Sequence, residues 1–192
     1  PASEAMRAFA PEIERSDILA RLKLEPKNYI LVTAHRSENV DDPQNLASIF
    51  EALGILNRRL KREIVYPMHP RTASKLKGVT VPPNIRIMAP LGFYDFNQLL
   101  KHSYCVLSDS GTAAEEGLFY KVPHVNLRMA TERMETLESG ATIVSGMEAE
   151  NIVEAVTLAV SLPWSARYEF EEDYSPSAVV VNAIRTKITN FF

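Results

Sequence analysis

A chain of 192 residues, 46% hydrophobic and 23% charged with a formal net charge of −3, has room for one α/β domain with a full core and lacks the basic excess of a nucleic-acid partner. No apolar run approaches the roughly 20 residues needed to span a bilayer, and the first residues are mixed and charged rather than signal-like, which points to a soluble protein without a membrane partner. The single cysteine, Cys105, lies in an apolar run and reads as core filler in a reducing, cytoplasmic setting.

Residues 2–24 form a polar helical stretch rich in Ala, Glu and Arg with no strand before it, which predicts a connector helix within residues 1–27. Apolar, β-branched runs then alternate with amphipathic stretches over residues 28–162. Strands are predicted at 29–33, 63–66, 85–88, 104–107, 124–127 and 142–144. The clearest helix runs from Asn45 to Leu60, where Leu46, Ile49, Phe50, Leu53, Leu56 and Leu60 fall mostly on one face, after Asp42 as N-cap and Pro43 in the first turn. Further helices are predicted at about 93–103, 112–120, 131–139 and 148–161. Repeated βα units of this kind imply a doubly wound parallel sheet, Rossmann-like, with helices on both faces. Pro163-Trp164 breaks the last of these helices, 168–174 is acidic and aromatic, and a helical pattern resumes over 176–192, so residues 163–192 read as a tail packing away from the sheet core.

Ligands of open parallel sheets bind outside the carboxyl ends of the strands, and polar residues gather there repeatedly in this chain. The strand ends carry Thr33-Ala34-His35-Arg36-Ser37-Glu38-Asn39, Pro67-Met68-His69-Pro70-Arg71, Pro90-Leu91-Gly92, Ser108-Asp109-Ser110-Gly111, and Arg128 shortly before Thr131-Glu132-Arg133. The fourth is the most informative. A strand that turns through small residues into a helix leaves unpaired N–H groups at the positive end of the macrodipole, a seat for phosphate on the amides of Gly111 and Thr112. Glu116, further along the same helix, is placed to accept hydrogen bonds from sugar hydroxyls.

Each residue also has a plainer reading: Ser110 as an N-cap, His35 as a satisfied loop histidine, Arg36 in a structural ion pair, His69-Pro70 as a rigid turn, Arg133 as a solvated surface arginine. Arg133 is the most telling of these, because a cation near a helix start opposes the dipole unless an anion is close. His35, His69, His102 and His124 show no short metal-ligand spacing, so no protein-bound metal is expected. The sequence has no G-x-G-x-x-G, G-x-x-x-x-G-K-[ST] or G-x-S-x-G, which argues against dinucleotide cofactors, P-loop chemistry and a hydrolase elbow.

Taken together, Thr33 to Asp41, Tyr66 to Thr72, Pro90-Leu91-Gly92-Phe93 with Asp95-Phe96, Ser108 to Gly111 with Glu115-Glu116, and Thr131-Glu132-Arg133 resemble the non-hydrolysing UDP-N-acetylglucosamine 2-epimerases, in the right order over roughly residues 28–160. The resemblance implies a GT-B-type fold of two Rossmann-like domains, of which this chain is the carboxyl-terminal, UDP-binding half. It implies inversion at C2 of UDP-GlcNAc to give UDP-ManNAc. UDP is eliminated to a 2-acetamidoglucal and adds back, and no cofactor is required. By resemblance, His35 contacts the diphosphate and is a candidate acid, with Arg36 beside it. Ser110, Gly111 and Thr112 form the phosphate cradle, Glu116 holds the ribose, Phe96 lies beside the uracil and Arg133 reaches the phosphates.

Two departures bear on the sugar. Many members carry Gly-Gly where this chain has Gly111-Thr112, and Pro where it has Met134, so a related UDP-N-acetylhexosamine stays open as substrate. The amino-terminal domain, with the carboxylates that move the C2 proton, is the missing partner; the complete protein is expected to be the epimerase, with homodimerisation as an option, and this fragment is expected to be inactive alone. The nucleotide-sugar half of a GT-B glycosyltransferase and a non-catalytic nucleotide-sugar sensor remain the alternative readings.

Overall fold

The computed structural model describes residues 2–162 and 175–189, with side chains of the last helix to residue 185. Three short helices, α1 (Ala2–Ala8), α2 (Ala10–Glu14) and α3 (Ile18–Leu22), precede the sheet. The βα succession follows as β1 (Tyr29–Thr33), α4 (Ser37–Val40), α5 (Pro43–Leu60), β2 (Glu63–Pro67), α6 (Pro70–Ala73), β3 (Ile85–Met88), α7 (Phe93–His102), β4 (Cys105–Ser108) and α8 (Gly111–Phe119). It ends with β5 (His124–Asn126), α9 (Met134–Glu138), β6 (Thr142–Val144), α10 (Ala149–Ser161) and α11 (Pro176–Thr189).

All six strands are parallel, in the order β3-β2-β1-β4-β5-β6. The central strands β1 and β4 read as continuous apolar runs because both faces are covered, whereas the edge strand β3 is only partly buried. Along β1, Ile30 and Val32 join one core cluster while Tyr29 and Leu31 join the other. The first cluster lies beneath α5 and α10, with Phe50, Leu53, Ile152 and Val156 buried. The second includes Leu99 and Leu100 of α7 and Val106 of β4. Chain order reverses between β1 and β4, whose ends pair at Thr33 and Ser108, so a crevice opens there.

The long helix begins as its sequence predicts. Asp42 is the N-cap, its carboxylate accepting from Gln44 N at 2.8 Å, Pro43 occupies the first turn, and Lys61 closes the helix in the left-handed region. Two of the expected helices differ, and the short helices α4 and α6 were not expected. The stretch over 2–24 is three helices rather than one, and it is packed: Met6, Ile13 and Ile18 are buried, with α1 against α8 and α2 and α3 against α7. The helix expected over 131–139 is confined to Met134–Glu138, because the Thr131 hydroxyl accepts from Arg133 N at 3.1 Å and holds 131–133 in a turn. At the far end, Ser175 and Ser177 donate to the Glu4 carboxylate of α1. The predicted break at Trp164 and the acidic aromatic run 168–174 lie outside the described residues. Among those described, no helix is long and apolar enough to cross a membrane.

Candidate functional site

The crevice between β1 and β4 is organised by one buried carboxylate. Asp109, fully buried at the end of β4, accepts through Oδ2 from His35 N at 2.8 Å, Arg36 N at 2.8 Å and Asn39 Nδ2 at 3.0 Å. A buried carboxylate is tolerated only when so satisfied. Arg36 Nε returns a bond to Asp109 O at 2.9 Å, and Asn39 Nδ2 also donates to Leu127 O at 2.8 Å, past the end of β5. The loop after β1 is thus locked to the loop after β4. Oδ1 of Asp109 makes no aligned hydrogen bond but lies 3.3 Å from His35 Nδ1.

Ser110 occupies the N-cap position of α8 with extended backbone, yet its hydroxyl makes no capping bond; its N–H donates to Ser108 Oγ at 2.9 Å. The plain N-cap reading of Ser110 is therefore not the observed one, and the first-turn amides of α8 face the crevice without a side-chain cap. A Cβ at Gly111 would stand 3.1 Å from Arg133 Nε and 3.4 Å from Glu132 Oε1, so a larger residue would press on these two side chains in the turn before α9. Thr112, next along, is exposed.

Three arginines surround this helix start. Arg133 Nε lies 2.9 Å from Glu115 Oε1 without hydrogen-bond alignment, so Glu115 supplies the anion that its position calls for. Arg128 donates to Glu132 at 2.7 Å and lies 3.5 Å from Glu38, and Arg36 Nη2 is 3.7 Å from Glu132. The Glu132 backbone N–H and then the Arg128 guanidinium hold its carboxyl below the usual range. One carboxylate thus stands among arginines beside an uncapped helix start.

Deeper along α8, Glu116 is 5% exposed and burial pushes its carboxyl up to about 7, opposed by a contact from Asn97 Nδ2 at 3.5 Å and aided by the charge of Glu115. Phe96, half-buried on α7, precedes Asn97. The structure therefore gathers His35, Arg36, Ser110, Gly111 and Arg133 around the crevice, with Thr112 on the first turn of α8, and places Glu116 and Phe96 along the α7–α8 side. His69 stands outside this cluster. Its Nδ1 accepts from Arg71 N at 3.1 Å as the N-cap of α6, the rigid-turn reading, although its ring is 5.7 Å from that of His35. Asp109 and Asn39 were quoted within the strand-end motifs but given no role of their own, and Asn97 was not named. The one available signal was an acidic residue directly after a buried strand, where a carboxylate must find donors.

A sequence profile of UDP-N-acetylglucosamine 2-epimerase matches residues 1–177. The chain belongs to this family. A UDP-N-acetylglucosamine 2-epimerase of Methanocaldococcus jannaschii is 36% identical over 140 residues, which are 70% of this chain and 38% of that protein. The solved M. jannaschii UDP-GlcNAc 2-epimerase, in complex with UDP-GlcNAc and UDP, superposes with a TM-score of 0.85 at 29% identity, over 96% of this chain and 53% of that one. A spinosyn rhamnosyltransferase complexed with thymidine diphosphate shares the fold alone, at 15% identity and a TM-score of 0.54. The epimerase-family chain is thus one Rossmann-like half of a GT-B architecture, spanning about half the length of the relatives it matches.

Proposed function

We propose that this chain is the UDP-binding half of an epimerase that interconverts UDP-GlcNAc with UDP-ManNAc or a closely related UDP-N-acetylhexosamine. The observation that carries this reading is the uncapped start of α8, ringed by Arg36, Arg128 and Arg133 and fixed to His35 through buried Asp109. The diphosphate rests on the amides of Gly111 and Thr112 and the Ser110 hydroxyl, and displaces Glu132 and Glu115 from their arginines. Glu116 accepts the ribose hydroxyls, and Phe96 lies beside the uracil.

When the C2 proton is removed and the C1–O bond breaks, negative charge grows on the departing UDP. Oriented amides and guanidinium groups already in place stabilise that charge without reorganisation. His35, held by Asp109, donates a hydrogen bond to the leaving phosphate oxygen. UDP kept on this rim then adds back to C1 of the 2-acetamidoglucal after reprotonation from the opposite face. The groups that move the C2 proton come from the other half of the active-site cleft.

The test is an assay for UDP-GlcNAc epimerisation by this chain alone and by the chain joined to the amino-terminal half of a family member. We expect no turnover from the first and turnover from the second. Turnover by the chain alone contradicts its predicted inactivity, and a folded two-domain protein that binds UDP-GlcNAc yet forms neither the C2 epimer nor UDP and glucal contradicts the epimerase reading.

A further inference from the structure

Asn97 is a costly residue for its position. It is fully buried on α7, close in sequence to the apolar Phe96 and Leu99-Leu100, where an apolar side chain would leave no polar atom unpaired. Its Nδ2 donates to Phe93 O at 3.0 Å, one turn back, and lies 3.5 Å from Glu116 Oε1 of α8, while its Oδ1 has no hydrogen-bond partner. Burying an acceptor without a donor costs free energy that packing does not return. Glu116 needs such a neighbour. The charged and titratable groups that bear on it from its own helix are Glu115, which disfavours its ionised form, and Tyr120; from α7 it is the neutral Asn97 amide that reaches it.

A carboxylate that is to accept from two hydroxyls of one ribose must be held in direction as well as in place, because both oxygens are used at once. We propose that Asn97 is a positioning residue of the ribose site: its Nδ2–H holds the Glu116 carboxylate in the orientation that accepts the 2′ and 3′ hydroxyls, and so sets the preference for ribonucleotide over deoxyribonucleotide diphosphates. This rests on the reading of Glu116 as the ribose acceptor. One Oε atom is steadied by the amide across the α7–α8 interface, and the carboxylate plane follows. Unpaired Oδ1 sits on the same amide and is free to take a donor from the bound nucleoside.

Calorimetric titration of the 192-residue chain with UDP and with 2′-deoxy-UDP tests this, alongside Glu116→Gln, Asn97→Leu and Asn97→Asp, each checked for cooperative thermal unfolding. The parent chain is expected to prefer UDP by about tenfold, as loss of one hydrogen bond to a charged acceptor implies. Asn97→Leu is expected to bring that ratio to within about twofold while 2′-deoxy-UDP affinity is retained. Asn97→Asp sets a second carboxyl against Glu116 and supplies a donor only while the pair keeps a shared proton, so its ratio is expected to fall toward that of Asn97→Leu as pH rises above about 8. A merely structural role weakens both ligands together and leaves the ratio intact, which overturns the proposal. If Glu116→Gln collapses the ratio and both Asn97 variants keep it, the proposal fails and the ribose reading stands. If Glu116→Gln leaves the ratio unchanged, or the parent chain binds neither nucleotide, the ribose reading fails and the proposal with it.

Discussion

The two faces of the sheet are built differently. Beneath α5 and α10 the core is aliphatic and aromatic, with Phe50, Leu53, Ile152 and Val156 closing on Ile30, Val32 and Leu107. The face under α7 and α8 has a smaller apolar cluster and carries buried polar groups: Asn97, Glu116 and His124, with Oδ1 of Asn97 and Nε2 of His124 unpaired. Close-packed apolar contact supplies stability on the first face. On the second, some of that contact is exchanged for buried polar side chains, whose direction depends on the partners they find.

Truncating the first face breaks the comparison most severely. Leu53→Ala, at a fully buried site, is expected to lower unfolding stability by about 3 kcal/mol, read by chemical denaturation, with UDP affinity of the folded chain unchanged. A matched loss of UDP affinity would show that the faces are not separable. On the second face, Glu116→Gln is expected to weaken UDP binding roughly tenfold at pH 8, and to flatten the weakening that the parent shows as pH falls through about 7 and Glu116 takes up a proton. Titrations at pH 8 and pH 6 check this.

The same face makes a subtler prediction about acid stability. Burial raises Glu116 from 4.5 to about 7 and lowers His124 from 6.5 to about 3. Between pH 4.5 and 6.5 the folded chain therefore holds one proton more than the unfolded chain at Glu116 and one fewer at His124. Stability gained at the first as pH falls offsets stability lost at the second, so these two groups leave a flat profile. Glu116→Gln removes the gain, and unfolding free energy is then expected to drop by about 1.4 kcal/mol for each unit of acidification. A profile that stays flat in the variant contradicts the assigned burial of His124. The smallest expected effect lies at the rim: Glu132→Gln removes the carboxylate that stands among Arg36 and Arg128, and should tighten UDP binding about threefold at low salt, whereas weakening would make Glu132 a ligand contact.

Much of the fold was legible because a parallel sheet covered on both faces writes its strands as apolar runs. Tyr29–Thr33, Ile85–Met88 and Thr142–Val144 match, β2 and β5 differ by one residue at one end, and β4 is shifted by one residue. Asp42 and Pro43 marked the start of α5 because capping is local chemistry. The burial of α1 to α3 was not legible, since Met6, Ile13 and Ile18 sit on three short helices whose separate axes share no single periodicity. At the site, His35, Arg36 and Ser110 stood out as polar groups at strand ends. Asp109, Asn39 and Asn97 act instead through other side chains, and which donor meets which acceptor is settled only by tertiary packing.

The central claim, that a uridine diphosphate sits on the start of α8, is tested most directly by NMR titration of the chain with UDP, with GDP as control and His35→Ala, Ser110→Ala and Glu116→Ala as probes. Shifts centred on the amides of Ser110 to Ala113, selective for UDP and weakened in all three variants, are the expected result. Shifts elsewhere, equal response to GDP, or no response at millimolar UDP would contradict it.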